Sequence, residues 1–158
     1  MLPSPLPLPL PLPLPPPPLH PVIYINEQAD PPEQVVLDAA NYAKQQNVDV
    51  IVGFGGGSSL DVAKVIALLA HPNQTQNLQE MYGVNQVKTT RLPLILIPTT
   101  AGTGSEVTPI SIVTTGETTK MGIVSPVLYA DTAILDATFT QNLPAHITAA
   151  TGIDAMVH

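Results

Sequence analysis

The stretch Asp49-Val50-Ile51-Val52-Gly53-Phe54-Gly55-Gly56-Gly57-Ser58-Ser59-Leu60-Asp61 runs from a β-branched apolar segment through glycines into a helical pattern. Val50, Ile51 and Val52 favour a strand, and the glycines that follow punctuate it. From Leu60 to Ala70 apolar residues fall nearly all round the helical wheel, the mark of a buried helix, and His71-Pro72 stops it. Glycines let a ligand approach the backbone closely, and a helix N-terminus offers unbonded amides and the positive end of its dipole to a phosphate. Ser58 is expected to cap this helix, with Asp61 three residues on in the capping-box position. Gly53, Gly55 and Ser58 fill the G-x-G-x-x-G slots, so the final glycine of a dinucleotide fingerprint is replaced. Lys64 falls outside a phosphate-loop arrangement. On this segment alone, a purely structural strand-to-helix turn is the competing reading.

Working outward, Val22–Ile25 reads as a short strand. Asp30 is expected to cap a helix carrying Pro31 and Pro32 in its first turn, and Val35, Val36, Ala39, Ala40 and Ala43 recur at helical spacing until about Asn47. Residues 73–91 are polar, with one helical turn expected around Leu78–Tyr82. Leu92–Pro98 is a second buried strand, and Ile110–Val113, Met121–Val124 and Ala133–Leu135 are further short ones. Strand and helix alternate in the order of a parallel sheet with crossover helices, an α/β Rossmann-like fold. Past Leu143-Pro144 the pattern turns helical again, as the opening of a further, all-helical domain.

Composition narrows the function. The 158 residues are 44% hydrophobic, with mean hydropathy +0.25, enough for one buried core. A formal charge of −7 with only 5 Lys and Arg gives no phosphate-backbone footprint, so nucleic acid is not an expected partner. The absence of cysteine excludes a disulfide scaffold and cysteine-based zinc sites, and it fits a reducing, cytoplasmic location. No apolar run approaches the ~20 residues of a membrane span. Eleven of the 19 prolines lie between Pro3 and Pro21, in a Pro-Leu alternation that calls for polyproline II. This tail reads as a linker or a non-native start, with recruitment of an SH3-like partner as the sharper alternative.

Two more segments carry chemistry. Pro98-Thr99-Thr100-Ala101-Gly102-Thr103-Gly104-Ser105-Glu106-Val107-Thr108 places five hydroxyl side chains and two glycines after a buried strand, where open α/β sheets bind ligands. Ser and Thr also satisfy turns routinely, so the loop is equally readable as structural. In Thr151-Gly152-Ile153-Asp154-Ala155-Met156-Val157-His158, Asp154 and His158 are i and i+4 on a helix. A carboxylate and an imidazole at that spacing form half of a divalent metal site, although spacing alone describes an ordinary surface pair more often.

From about Pro21 to His158 the chain resembles the iron-containing (group III) alcohol dehydrogenases. The resemblance rests on three motifs in order: Gly55-Gly56-Gly57-Ser58-x-x-Asp61-x-Ala63-Lys64, the Pro98–Thr108 segment, and Ala150-Thr151-Gly152-Ile153-Asp154-Ala155-Met156-x-His158. It implies that Gly56, Gly57 and Ser58 line the cofactor diphosphate with Asp61 nearby. Thr99, Thr100, Thr103 and Thr108 would lie along the nucleotide, and Lys120 would reach the ribose side. Asp154 and His158 match the first two of four metal ligands, while His20, His71 and His146 match none. The implied cofactors are NAD or NADP and Fe(II), with zinc as an alternative metal. The implied reaction interconverts small alcohols with aldehydes or ketones by hydride transfer. Against that family pattern, the Pro-Leu tract stands where a first strand-helix unit is expected, Asp30 stands where Asn is frequent, and two further histidine ligands are absent. The expected organisation is a low-complexity tail over 1–20, an incomplete dinucleotide-binding domain over 21–140 and the start of a truncated helical metal-binding domain over 141–158. Such a fragment is expected to be inactive alone, whereas its full-length parent could be a homo-oligomer. The rival readings are a non-catalytic nucleotide-binding or interaction module, and a relative of glycerol dehydrogenase and dehydroquinate synthase, which share the fold and a glycine turn.

Overall fold

A computed structural model describes residues 21–25, 31–116 and 119–157. The Pro-Leu tract and Asp30 therefore lie outside the described residues. Helix α1 (Glu33–Gln45) leads to strand β1 (Ile51–Gly55), helix α2 (Gly57–Leu69), a 3-10 turn at Leu78–Met81 and strand β2 (Gly83–Val84). Strand β3 (Leu94–Pro98), a 3-10 turn at Ser105–Val107, strands β4 (Ile110–Thr115) and β5 (Thr119–Val124), strand β6 (Thr132–Ala133) and helix α3 (Ala145–Val157) follow.

The three-stranded sheet β1-β3-β6 is parallel throughout, with α2 as the crossover from β1 to β3, as the alternating pattern predicts. Its register pairs Ile51 with Leu94 and Gly55 with Pro98, so β1 and β3 end together. The amide of Thr99 donates to the Gly55 carbonyl at 2.8 Å and closes that end. The glycine turn and the threonine-rich loop thus leave the sheet side by side, at the carboxyl ends of the strands.

A second sheet, ordered β2-β5-β4, departs from an all-parallel plan: β4 and β5 form an antiparallel hairpin from Ile110–Val124 to Thr115–Thr119. Strand β4 alternates, with Ser111 and Val113 inward and Ile110 and Ile112 outward, the signature of a sheet buried on one side.

Helix α2 is the centre of the core. Leu60, Ala63 and Ala67 pack on Leu94 and Leu96 of the parallel sheet, while Val65 and Leu68 meet Val36 and Ala40 of α1 with Val113 and Ile123 of the hairpin. That two-sided burial is why its sequence is apolar all round; each fully buried Leu contributes about 1.5–3 kcal/mol. Close approach to β1 requires Gly53, because a Cβ there would lie 2.7 Å from both Ala63 Cβ and Leu96 Cδ2.

Several expectations are corrected. Residues 22–25 are not a strand; no ladder partner flanks them among the described residues, and Ile23 and Ile25 are exposed. Helix α1 begins at Glu33, after the prolines rather than around them, because Pro32 is held extended (ψ 155°) by a bridge to Thr114 of β4. Ser58 does not cap α2. The N-cap is Gly56, no side chain bonds there, and Ser58 sits inside the first turn. Asp61 cannot complete a capping box, because its carboxylate is engaged elsewhere in the fold.

Arg91 staples the parallel sheet from outside. Its Nε donates to the Val127 carbonyl at 2.8 Å, its Nη1 to the Leu92 carbonyl and to Asp131 Oδ2 at 2.7 Å, and its Nη2 to the Tyr129 carbonyl. Hydrogen bonds from Arg91 and from the Leu94 amide hold the Asp131 carboxyl below the usual carboxylate range. A depressed carboxyl pKa stabilises the fold above the unfolded pKa, and that contribution disappears as pH falls through the lower folded value. Asp131→Asn should therefore unfold at lower urea than the parent at pH 7. The gap should close in strong acid, and an unchanged gap at pH 2 would refute this account.

Candidate functional site

The site grows from the shared end of β1 and β3. Gly55 leaves the strand at φ +152°, outside the range favoured by other residues, and Gly56 begins α2 in an extended conformation. The first internal helix bond runs from the Leu60 amide to the Gly56 carbonyl at 3.1 Å. Amides of a first helical turn have no carbonyl inside their own helix to bond, which makes this terminus an anion-attracting surface.

The threonine loop folds back over that terminus. A Cβ built on Gly56 would lie 3.6 Å from Thr100 Cγ2 and 3.8 Å from its Oγ1; one on Gly57 would lie 3.1–3.2 Å from Thr103. Thr100 Oγ1 is buried and has no hydrogen-bond partner among the described residues. A buried hydroxyl without a partner is costly, by about 1–3 kcal/mol, so a partner from outside the chain is the economical explanation. Thr99 is held by its amide at the strand end, and Thr103 Oγ1 accepts from the Ser105 amide at 3.3 Å.

Below the terminus lies a closed polar network. Lys64 is completely buried, and its three N–H groups are shared among Asp61 Oδ1 (3.1 Å), Ser105 Oγ (3.0 Å), Thr108 Oγ1 (3.2 Å) and the Ile110 carbonyl (2.7 Å). Ser105 Oγ in turn donates to Asp61 Oδ1 at 2.6 Å, and Asp61 Oδ2 accepts from the Ile112 amide at 3.0 Å. Burial pushes the Lys64 ammonium pKa down, opposed by the charges of Asp61 and Glu106. Asp61 and Thr108, expected near the cofactor, are thus committed to internal partners. Lys64 and Ser105 were not singled out by sequence reasoning, although a lysine in a helix apolar on every side was the available signal.

The remaining candidates are more dispersed. Lys120 lies exposed on β5, in the second sheet. Asp154 is half-buried on α3, and His158 lies outside the described residues, so the expected i, i+4 metal pair is not described. Helix α3 meets the threonine loop at Gly102, which at φ +153° lies so close that a Cβ on it would overlap the Thr151 carbonyl. Among the described residues no three His, Asp or Glu side chains converge as a metal cluster, and no helix is long and apolar enough to cross a membrane.

A parallel α/β sheet with a glycine turn and a hydroxyl-rich loop at its carboxyl end defines a nucleotide-binding class of fold. The family model for iron-containing alcohol dehydrogenase matches residues 19–137, and the chain belongs to that family. It is 44% identical over 137 residues to a sulfoacetaldehyde reductase of Bilophila wadsworthia, covering 86% of this chain and 35% of that protein. It is 42% identical to long-chain-alcohol dehydrogenase 1 of Geobacillus thermodenitrificans, covering 86% of this chain and 34% of that protein. The structure superposes with TM-score 0.74 on sulfoacetaldehyde reductase from Bifidobacterium kashiwanohense in complex with NAD+, at 34% identity, covering 80% of this chain and 34% of that one. The chain therefore spans about a third of the length of the relatives it matches.

Proposed function

We propose that these residues form the dinucleotide-binding part of an iron-dependent alcohol dehydrogenase that interconverts small alcohols with aldehydes or ketones. The observation that carries the reading is the unpartnered Thr100 hydroxyl beside a glycine-lined helix N-terminus. Gly56, Gly57 and Ser58 would cradle the diphosphate of NAD or NADP, with Thr99, Thr100 and Thr103 along the nucleotide and Lys120 toward the ribose. Thr108 and Asp61 would contribute by shaping the loop. Resemblance to a protein solved with NAD+ favours NAD.

Asp154 and His158 would hold the metal, Fe(II) by family and zinc as the alternative. Asp154 is i+3 from Thr151, whose carbonyl lies against Gly102 of the threonine loop, a helical spacing that favours a common side of α3 for the carboxylate and the loop. When bound, the metal supplies Lewis acidity to the alcohol hydroxyl and the nicotinamide supplies a hydride acceptor. The segment over 141–158 is then the start of the helical domain that completes the site. A pair of ligands falls short of the roughly three that a catalytic metal needs, so the 158 residues should bind dinucleotide without turning over alcohol.

Titration of the purified chain with NAD(H), followed by calorimetry, tests the reading. Thr100→Val removes a hydroxyl that has no partner in the ligand-free protein, so the variant should melt at the same temperature or higher. Its dinucleotide affinity should fall about tenfold, the worth of one hydrogen bond of about 1.4 kcal/mol. An affinity equal to that of the parent would sink the assignment of Thr100. Absence of any dinucleotide binding by the parent would sink the functional reading. Alcohol-dependent NADH formation at ordinary dehydrogenase rates with added Fe(II) would refute the inactivity of these residues alone.

A further inference from the structure

We propose that Lys64 is a positioning residue for the nucleotide loop: its buried ammonium latches the Ser105–Thr108 turn to α2 and thereby holds Thr100 and Thr103 over Gly56 and Gly57. The inference rests on the nucleotide-binding reading and gives it a mechanical basis. Lys64 is 0% exposed, so it acts through the residues it holds.

The threonine loop has two ends with different attachments. At its start the Thr99 amide is bonded to the Gly55 carbonyl. At its far end the Ser105–Val107 turn packs against both β3 and α2, and its side-chain hydrogen bonds run to α2. There the ammonium bonds Ser105 and Thr108 from within α2 and also takes the Ile110 carbonyl at the start of β4. Asp61, one helical turn before Lys64, opposes the downward pull of burial on the ammonium pKa and accepts a hydrogen bond from the same Ser105 hydroxyl. Between the latch and Thr103 stands Gly104 alone, at φ +62°, so a displacement of Ser105 is passed on within two residues. Thr103 Oγ1 also accepts from the Ser105 amide, which couples the threonine directly to the latch. Asp61 and Lys64 lie on the same helix whose N-terminus receives the ligand. The latch therefore sets the distance between loop and cradle by the rigid geometry of about two helical turns, rather than by flexible surface contacts.

Ser105 is the member whose loss leaves the buried ion pair intact, so Ser105→Ala is the decisive variant. Two measurements on the full 158-residue chain are needed: calorimetric affinity for NAD+, and amide hydrogen exchange of the ligand-free protein over the 99–108 segment. The latch predicts that Ser105→Ala weakens NAD+ about tenfold, as expected from one buried hydrogen bond. Exchange over 99–108 should accelerate by a similar factor, with exchange in β1 and the middle of α2 unchanged. Ser105→Thr, which keeps the hydroxyl, should recover part of both effects. Equal affinity and equal exchange in Ser105→Ala would overturn the proposal, as would faster exchange spread evenly through the core, since that marks general destabilisation. A parent chain that binds no NAD+ would be recognised before any variant is made, and it would sink the nucleotide reading and this inference together.

Discussion

Replacing Lys64 by Met will lower the free energy of unfolding by about 3–5 kcal/mol, the cost of leaving one member of a buried ion pair uncompensated. The Asp61 side chain is only 15% exposed and would face the space vacated by the ammonium, with the Ser105 hydroxyl and the Ile112 amide as its remaining partners. Against a total stability of about 5–15 kcal/mol for an ordinary domain, such a loss is large enough to prevent folding at 37 °C. The double variant Asp61→Asn/Lys64→Met separates charge from packing. No unpaired charge remains in it, so much of the lost stability should return. Urea titration at pH 7 checks both. A loss below about 1 kcal/mol in Lys64→Met would mean that the pair behaves like a solvated surface bridge.

Gly102→Ala should have the second-largest effect, and it should be felt at α3. The added Cβ would overlap the backbone carbonyl of Thr151, and a carbonyl within a helix cannot turn aside as a side chain can. Backbone strain at φ +153° contributes about 1–3 kcal/mol, and forcing the loop and helix apart adds a comparable amount. The expected result is faster proteolysis at α3, together with weaker dinucleotide binding. Gly104→Ala is the control: its φ is +62°, but nothing lies within 4 Å of a Cβ there, so only the left-handed penalty of about 1–2 kcal/mol applies. Equal effects at the two glycines would refute the contact between loop and helix.

The parallel sheet was legible because its segments are short, apolar and bounded by glycine or proline. The β-rich run Asp49–Phe54 and the strand Leu92–Pro98 each lie within two residues of the observed strands, and the all-round apolar pattern of α2 marks it as buried. The start of α1 was misread because Asp30, Pro31 and Pro32 make a good local N-terminus, whereas the bridge from Pro32 to Thr114 is a tertiary contact that local sequence does not report. The Ser58 cap failed for a related reason. Asp61 looked like a capping partner three residues on, but residues 44 to 51 positions away in the chain claimed its carboxylate. The glycine turn and threonine loop were found as separate segments. Their meeting required the register of β1 with β3, which brings Gly55 opposite Pro98. Lys64 is set aside as a phosphate-loop lysine and given no role from sequence, because a lysine on a helix ordinarily snorkels to water and only the fold reveals four oxygens around it.

The span of that lysine's contacts also dictates when it can settle. Its loop-side partners lie 41 to 46 positions later in the chain, so during synthesis α2 emerges long before Ser105, Thr108 and Ile110 exist to receive the charge. Until then Asp61, three residues earlier, is the partner at hand and water must supply the rest. Closing so long a segment carries an entropy cost that short helical contacts avoid, which places this step late in folding.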